Sequence, residues 1–146
     1  MDSRPSPGRG MRRVAAALLI TGAVNAVVYA VMIARGYPLW PGHPEVFRDL
    51  QRAMTWADGY MTLMVLAGAV GLWSDRSWGR LPGIVGAAAL IYMGILDVAF
   101  LAQHGMYARL DPVVLTMIVV DTWALGVGTW IVFALRKTST GQERRS

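Results

Sequence analysis

The stretch LPGIVGAAALIYMGILDVAFLAQ, residues 81–103, decides the fold of this chain, because its only charged residue is Asp97. A helix needs about 20 mainly apolar residues to cross the hydrocarbon core of a bilayer. Only helices and closed barrels satisfy their backbone hydrogen bonds in lipid, and barrel strands alternate polar with apolar residues. Residues 81–103 therefore predict a membrane-spanning helix that contains one aspartate, Asp97.

Three further apolar stretches extend this interpretation to most of the chain. Residues 14–34 carry no charge, residues 58–74 begin with Asp58, and residues 112–135 contain Asp121. The second of these is short for a span, but the residues before it can extend it. The sequence thus predicts an all-α integral membrane protein with four transmembrane helices, and the short connections favour an up-down-up-down bundle.

The longest connection, residues 36–57, predicts an additional element outside the membrane. It opens with GYPLWPGHP, which is rich in turn-forming residues. From Pro44 to Met54, apolar residues then recur at helical spacing, with charged and polar residues between them. We predict a short external amphipathic helix here, between helices one and two.

Composition supports a membrane protein without a soluble domain. Hydrophobic residues make up 55% of the chain and charged residues only 16%, against about 25% charged in ordinary proteins. The absence of cysteine excludes disulfides and thiolate metal sites. We expect residues 1–13 to be a disordered basic cytoplasmic tail, residues 14–137 to form the transmembrane domain, and residues 138–146 to be a second disordered tail.

The net charge of +5 is interpreted as a topology signal. Ten of the fourteen basic residues precede the first span, lie between the second and third, or follow the fourth, and four lie on the other side. Under the positive-inside rule this predicts a multi-pass protein of the cell membrane with both termini cytoplasmic. The expected partners are membrane lipids and either a second copy or a larger membrane complex, and nucleic acid is not expected. Recognition of anionic headgroups by the basic tails stays open as an alternative.

Polar residues within the spans lie in the outer half of the membrane or near its midplane. At a rise of about 1.5 Å per residue, Asp97 lies about 9 Å below the outer end of its span, Asp121 about 14 Å and Asn25 about 15 Å. Polar side chains in a membrane nearly always turn inward. We predict that six residues line one cavity open to the outer side: Asn25, Tyr29, Asp58, Asp97, His104 and Asp121.

The same residues have a structural alternative, in which they are interhelical hydrogen-bonding pairs that hold one packing register. No Lys or Arg lies deep in a span. The carboxylates must therefore be neutral, hydrated, or neutralised by something that binds, and the last option is the functional hypothesis.

Two classes of function follow. The first is a small membrane protein whose outward-facing polar cavity binds a small ligand, cation or proton, as a subunit of a transporter or channel. The second is a non-catalytic accessory subunit of a larger membrane complex. A membrane enzyme that acts on a lipid-soluble substrate is less favoured, and no catalytic residue, metal site or cofactor is predicted.

Overall fold

The computed structural model describes residues 9–35, 45–108 and 112–143. Four α-helices make up nearly all of this part of the chain: α1 (Arg9–Arg35), α2 (Glu45–Trp73), α3 (Arg80–Gln103) and α4 (Pro112–Glu143). Short 3₁₀ helices lie at Ser77–Gly79, before α3, and at Met106–Ala108, after it. The prediction of an all-α fold built on four helices is therefore confirmed.

Three segments of the described chain are long and apolar enough to cross a membrane: Gly10–Val28, Ser77–Gln103 and Val114–Arg136. They fall in α1, α3 and α4. The second helix, α2, is not among them, because its first half is polar and Asp58 lowers the hydropathy of the rest. These three helices are compatible with the predicted membrane protein.

The structure changes the boundaries predicted for the second helix. The sequence predicted a short external amphipathic helix from Pro44 to Met54, followed by a span beginning at Asp58. Instead, α2 runs without a break from Glu45 to Trp73, so the amphipathic segment is its first part. No glycine or proline separates Glu45 from Asp58, and nothing in the sequence ends the helix there. Residues 36–44 lie outside the described residues.

Both terminal helices extend into the segments predicted to be disordered tails. The first helix begins at Arg9, before the predicted boundary at Val14, and α4 continues past Lys137 to Glu143. Extending a helix that has already formed costs little, and neither extension contains a proline. Residues 1–8 and 144–146 lie outside the described residues.

The end of α2 is a tight turn that reverses the chain. Asp75 takes a left-handed backbone conformation with φ 54°. The N–H of Arg76 donates to the carbonyl of Gly71 at 2.8 Å, and the N–H of Asp75 donates to that of Leu72 at 3.3 Å. These are the two hydrogen bonds of a Schellman motif, which satisfies the last carbonyls of a helix and directs the chain back along it.

Four glycines let α2 and α3 approach to backbone contact. A Cβ atom added to Gly68 would lie 2.6 Å from the Cα of Gly83, and one added to Gly71 would lie 2.3 Å from the Cα of Gly79. The two pairs run in opposite directions along the chain, so α2 and α3 are antiparallel. Small residues at such crossings are typical of helix pairs in membranes, because close backbones maximise van der Waals contact.

The helices pack in chain order and leave one side open. The first helix packs on α2, α2 on α3, and α3 on α4, whereas α1 and α4 meet at few positions. Close contacts at two glycines join the outer pairs: Gly22 lies against Leu66, and Gly128 lies against the carbonyl of Ala87. The consequence is a groove between α1 and α4, with α3 at its base.

Two apolar clusters fill the interior. The larger takes residues from all four helices: Val14, Ala15, Leu18, Met61, Val65, Ala69, Leu72, Ala87, Leu90, Ala124, Ile131 and Leu135. The smaller, which we call the α3–α4 cluster, consists of Leu101, Met106 and Val114, with Phe100, Tyr107, Met117 and Ile118 packed against them. Along α3, Asp97 lies between Leu90 of the larger cluster and Leu101 of the smaller. Along α4, Asp121 lies between Val114 of the smaller cluster and Ala124 of the larger.

Candidate functional site

Two carboxylates lie on the stripes of α3 and α4 that face the interior. On α3, Asp97 follows buried Gly94 and precedes buried Leu101 at intervals of three and four residues. On α4, Asp121 lies two helical turns, seven residues, after buried Val114 and three residues before buried Ala124. Intervals of three and four residues return to the same face of a helix. Both acids therefore point toward neighbouring helices.

Asp58 brings a third carboxylate from α2. It precedes buried Met61 and Val65 on the interior stripe of that helix. The charge of Asp97 acts on Asp58, and Asp97 also interacts directly with Asp121. Asp97 is thus the member that links the other two. We call Asp58, Asp97 and Asp121 the acidic cluster, to which three different helices each contribute one residue.

Asp121 is the most deeply buried member of the cluster. Its exposed fraction is 2%, and both of its carboxyl oxygens are covered. Asp97 interacts with it electrostatically, but within the described part of the chain neither oxygen has a hydrogen-bond partner. A buried polar group without a partner costs about 1–3 kcal/mol. The contacts among the described residues therefore do not offset the free-energy cost of burying Asp121.

Gly94 determines how closely α4 approaches the cluster. A Cβ atom at this position would lie 2.8 Å from the Cγ of Leu125 and 3.3 Å from the backbone oxygen of Asp121. Because Asp97 follows Gly94 by less than one helical turn, this close crossing brings the Asp121 side chain to the level of Asp97. Because glycine has no side chain, α3 and α4 come close enough at Gly94 for the two carboxylates to lie opposite each other.

The other predicted residues take different positions. Asn25 is partly buried on α1, one turn beyond Thr21, and its Nδ2 atom is covered and has no hydrogen-bond partner among the described residues. His104 lies just after the end of α3, is exposed, and has its ring 4.2 Å from that of Phe100. Its Nδ1 lies 2.9 Å from the Phe100 carbonyl oxygen. The backbone of Tyr29 belongs to α1, but its side chain lies outside what the structure describes.

Tyr107 lies near the acidic cluster, although the sequence did not single it out. It belongs to the 3₁₀ helix Met106–Ala108 and packs against the α3–α4 cluster, and its hydroxyl group is 3.5 Å from the carbonyl oxygen of Val98. Desolvation, followed by the negative charges of Asp121 and Asp97, raises the pKa of the Tyr107 phenol. The field of the two carboxylates therefore reaches the connection between α3 and α4 at this residue.

A groove with a cavity of about 390 Å³ lies beside the acidic cluster. Its walls come from α1 and α4, and Leu90 and Met93 of α3 form its base. The rims are exposed apolar side chains, with Val24 on α1 and Val119 on α4. The cavity wall is almost entirely apolar, and Thr21 and Asn25 are its main polar side chains. The groove is thus of a size that suits a small molecule.

One hydrogen bond crosses this groove and joins its walls. The indole Nε1 of Trp123 on α4 donates to the Thr21 hydroxyl oxygen at 3.2 Å, and that hydroxyl donates to the carbonyl of Ala17 at 2.8 Å. Since α1 and α4 meet at few other positions, this bond is a main link between them.

We expect Thr21→Val to weaken the contact between α1 and α4. Interhelical hydrogen bonds in membrane proteins contribute about 0.6 kcal/mol on average and up to about 1.7 kcal/mol. The matched control is Thr122→Val, because the Thr122 hydroxyl donates only within its own helix, to Ile118 at 2.7 Å. Equilibrium unfolding in mixed micelles should show a larger loss for Thr21→Val. Equal losses for the two variants would contradict the role of this bond.

Among the described residues, no group of three or more His, Asp or Glu side chains is arranged to hold a metal ion. Comparison of the chain with models of known protein families, with curated proteins and with solved structures finds no match. The function is therefore argued from the site alone.

Proposed function

We propose that this chain is a four-span membrane protein whose acidic cluster binds a proton or a small cation, as part of a transporter or channel. In this proposal α2 is the fourth span, and both termini face the cytoplasm. The excess of basic residues on one side supports the orientation. The interior stripe of α2, which runs from Asp58 through Met61 and Val65 to Leu72, supports its place inside the protein.

The observation that carries the proposal is that Asp97 interacts with Asp58 on one neighbouring helix and with Asp121 on another, with no basic side chain in the same segments. The sequence has no Lys or Arg between Arg13 and Arg35, between Arg52 and Arg76, or between Arg80 and Arg109. Two negative charges about 5 Å apart repel by roughly 3 kcal/mol at an effective dielectric constant of about 20. A bound proton or cation removes that repulsion, so the cluster favours binding one.

The apolar residues around the acidic cluster would restrict the access of water and ions to its carboxylates. Apolar residues lie on both sides of it along α3 and α4, and the α3–α4 cluster covers the side near the connection between these helices. Intramembrane carboxylates in such settings mark proton relays and ion pathways in known pumps and transporters. Four helices enclose little space, so transport would require a second copy or another subunit.

The proposal is tested by measuring whether the cluster titrates as a unit. Infrared spectra of the purified protein in lipid, recorded across a pH series, follow the carboxyl bands of wild type, Asp97→Asn and Asp121→Asn. Because Asp97 interacts with Asp121, we expect each substitution to shift the titration of the carboxyl group that remains. Sodium and methylammonium should shift the wild-type transition and leave both variants unchanged.

The matched control is Asp49→Asn, because Asp49 lies on the surface of α2 and pairs with Arg52 at 3.4 Å. It should leave the coupled transition intact. Independent titration of Asp97 and Asp121, combined with no effect of either cation, would instead favour an accessory subunit in which the acids serve packing.

A further inference from the structure

The groove between α1 and α4 has no place in the proton or cation site, because its walls are apolar and the acidic cluster does not line it. Val120 and Ala124 line the groove, while Asp121, between them in sequence, turns toward the interior. Val24 and Val119 flank the opening, and these residues are 56% and 69% exposed, respectively. The opening therefore faces sideways, toward the lipid around the helices, and not along the helix axes.

One polar atom in the wall of this groove lacks a partner. Thr21 is already engaged with Trp123 and Ala17. Asn25, one turn away, has a covered Nδ2 atom without a hydrogen-bond partner among the described residues. An amide nitrogen can only donate, so the group that would satisfy it is a hydrogen-bond acceptor. The groove thus combines a large apolar surface with one unused donor.

The depth of Asn25 limits what can supply that acceptor. Along α1, Asn25 lies about 15 Å from Arg35 and about 18 Å from Arg13, close to the middle of the membrane. The ester carbonyls of phospholipids lie at the edge of the hydrocarbon core, about 15 Å from its midplane. A carbonyl oxygen on a compound that dissolves in the bilayer interior can reach the midplane, whereas a lipid ester cannot do so without distorting the bilayer.

We propose that the groove between α1 and α4 binds a lipid-soluble carbonyl compound of the quinone type, whose oxygen accepts a hydrogen bond from Asn25. The apolar body of the ligand lies against Val24, Met93 and Val120, and it enters from the bilayer between the exposed rims. Trp123 lies at the groove wall and contacts the bound ring. This site is separate from the acidic cluster and does not depend on the function proposed for it.

The test uses a benzoquinone with a decyl tail, added to the full-length protein in lipid nanodiscs. Trp123 lines the groove, so the ligand should quench its fluorescence in a saturable manner. The chain contains six tryptophans, and the Trp123→Phe variant identifies the part of the signal that arises at the groove. Decylbenzene, which has the same tail without the carbonyls, measures partition into the lipid.

We expect Asn25→Leu to raise the Kd of the quinone about tenfold, the effect of one lost hydrogen bond from a buried donor. Val120→Phe, which fills the groove, should abolish saturable quenching even where Asn25 is intact. Thr116→Val is the matched control and should leave the Kd unchanged, because the Thr116 hydroxyl donates only to Pro112 of its own helix.

Three outcomes would overturn the inference. The first is an unchanged Kd in Asn25→Leu, and the second is equally tight saturable binding of decylbenzene. The third is a thermal stability that falls in ether-linked lipid compared with ester-linked lipid, in wild type and not in Asn25→Leu, which would assign the groove to a phospholipid. Because the readout is tryptophan quenching and not carboxyl titration, failure here leaves the proposed acidic site untouched.

Discussion

Replacing Asp121 by leucine is expected to stabilise this protein by about 1–4 kcal/mol while abolishing proton or cation binding. Asp121 is almost fully buried and has no hydrogen-bond partner of good geometry among the described residues. Replacing a buried ion pair by apolar residues of similar volume is often neutral or stabilising, by about this amount, and Asp121 has no cation partner among the described residues that its removal would leave unpaired. The removal of one carboxylate also relieves its interaction with Asp97. Thermal unfolding in detergent would measure the change.

The control for this prediction is Asp49→Leu, on the exposed first half of α2. Surface changes of this kind usually alter stability by less than about 0.5 kcal/mol. A marked loss of stability in Asp121→Leu would show that the carboxylate holds the helices together, as the interhelical-pair alternative requires. The expected result, higher stability with lost binding, is the pattern of a residue kept for function at a cost to the fold.

Gly79→Ala is expected to destabilise the protein by about 1–3 kcal/mol, because it overfills the closest crossing in the fold. The added Cβ would lie 2.5 Å from three backbone atoms, the Cα and carbonyl carbon of Gly71 and the nitrogen of Leu72. A flexible side chain could move aside, but the backbone of a packed helix must shift as a whole. The loss should appear in equilibrium unfolding.

Gly126→Ala is the matched glycine control. It lies within α4, and a Cβ atom there would meet nothing within 4 Å. Alanine is favoured over glycine in a helix by about 1 kcal/mol, so this variant should be as stable as wild type or more so. If Gly79→Ala proved as stable as Gly126→Ala, the backbone contact between α2 and the turn before α3 would not be important.

The sequence predicted the helices well because the apolar stretches are long and their charged boundaries are sharp. It also placed Asp97 and Asp121 at similar depth, since the rise of a helix is fixed. It predicted His104 to line the same cavity as Asp97, but the structure places His104 just beyond the end of α3. The α-helix ends at Gln103, and the left-handed Gly105 that follows turns the chain, so His104 lies at the surface.

Other features depend on tertiary packing and could not be predicted from one sequence. Small residues occur on several faces of every helix, so their pattern does not say which helices are neighbours or that α1 and α4 stay apart. The groove follows from that separation. Tyr107 lies in a connection whose path is set by Gly105, and no periodic pattern in that segment indicates that its phenol would come under the charge of Asp97 and Asp121.

The backbone contact between α2 and α3 has a consequence for how the chain enters the membrane. An aspartate near the centre of a helix raises the free energy of insertion by about 2.5–3.5 kcal/mol, and α2 carries Asp58 on a helix of moderate hydropathy. In the four-span arrangement that we propose, α2 is the helix least able to insert alone. The short turn and the facing glycines allow α3, the most apolar helix, to be in place against α2 almost as soon as it is synthesised. The two helices α2 and α3 would then insert together as a helical hairpin, because the more apolar α3 lowers the free energy of inserting the pair.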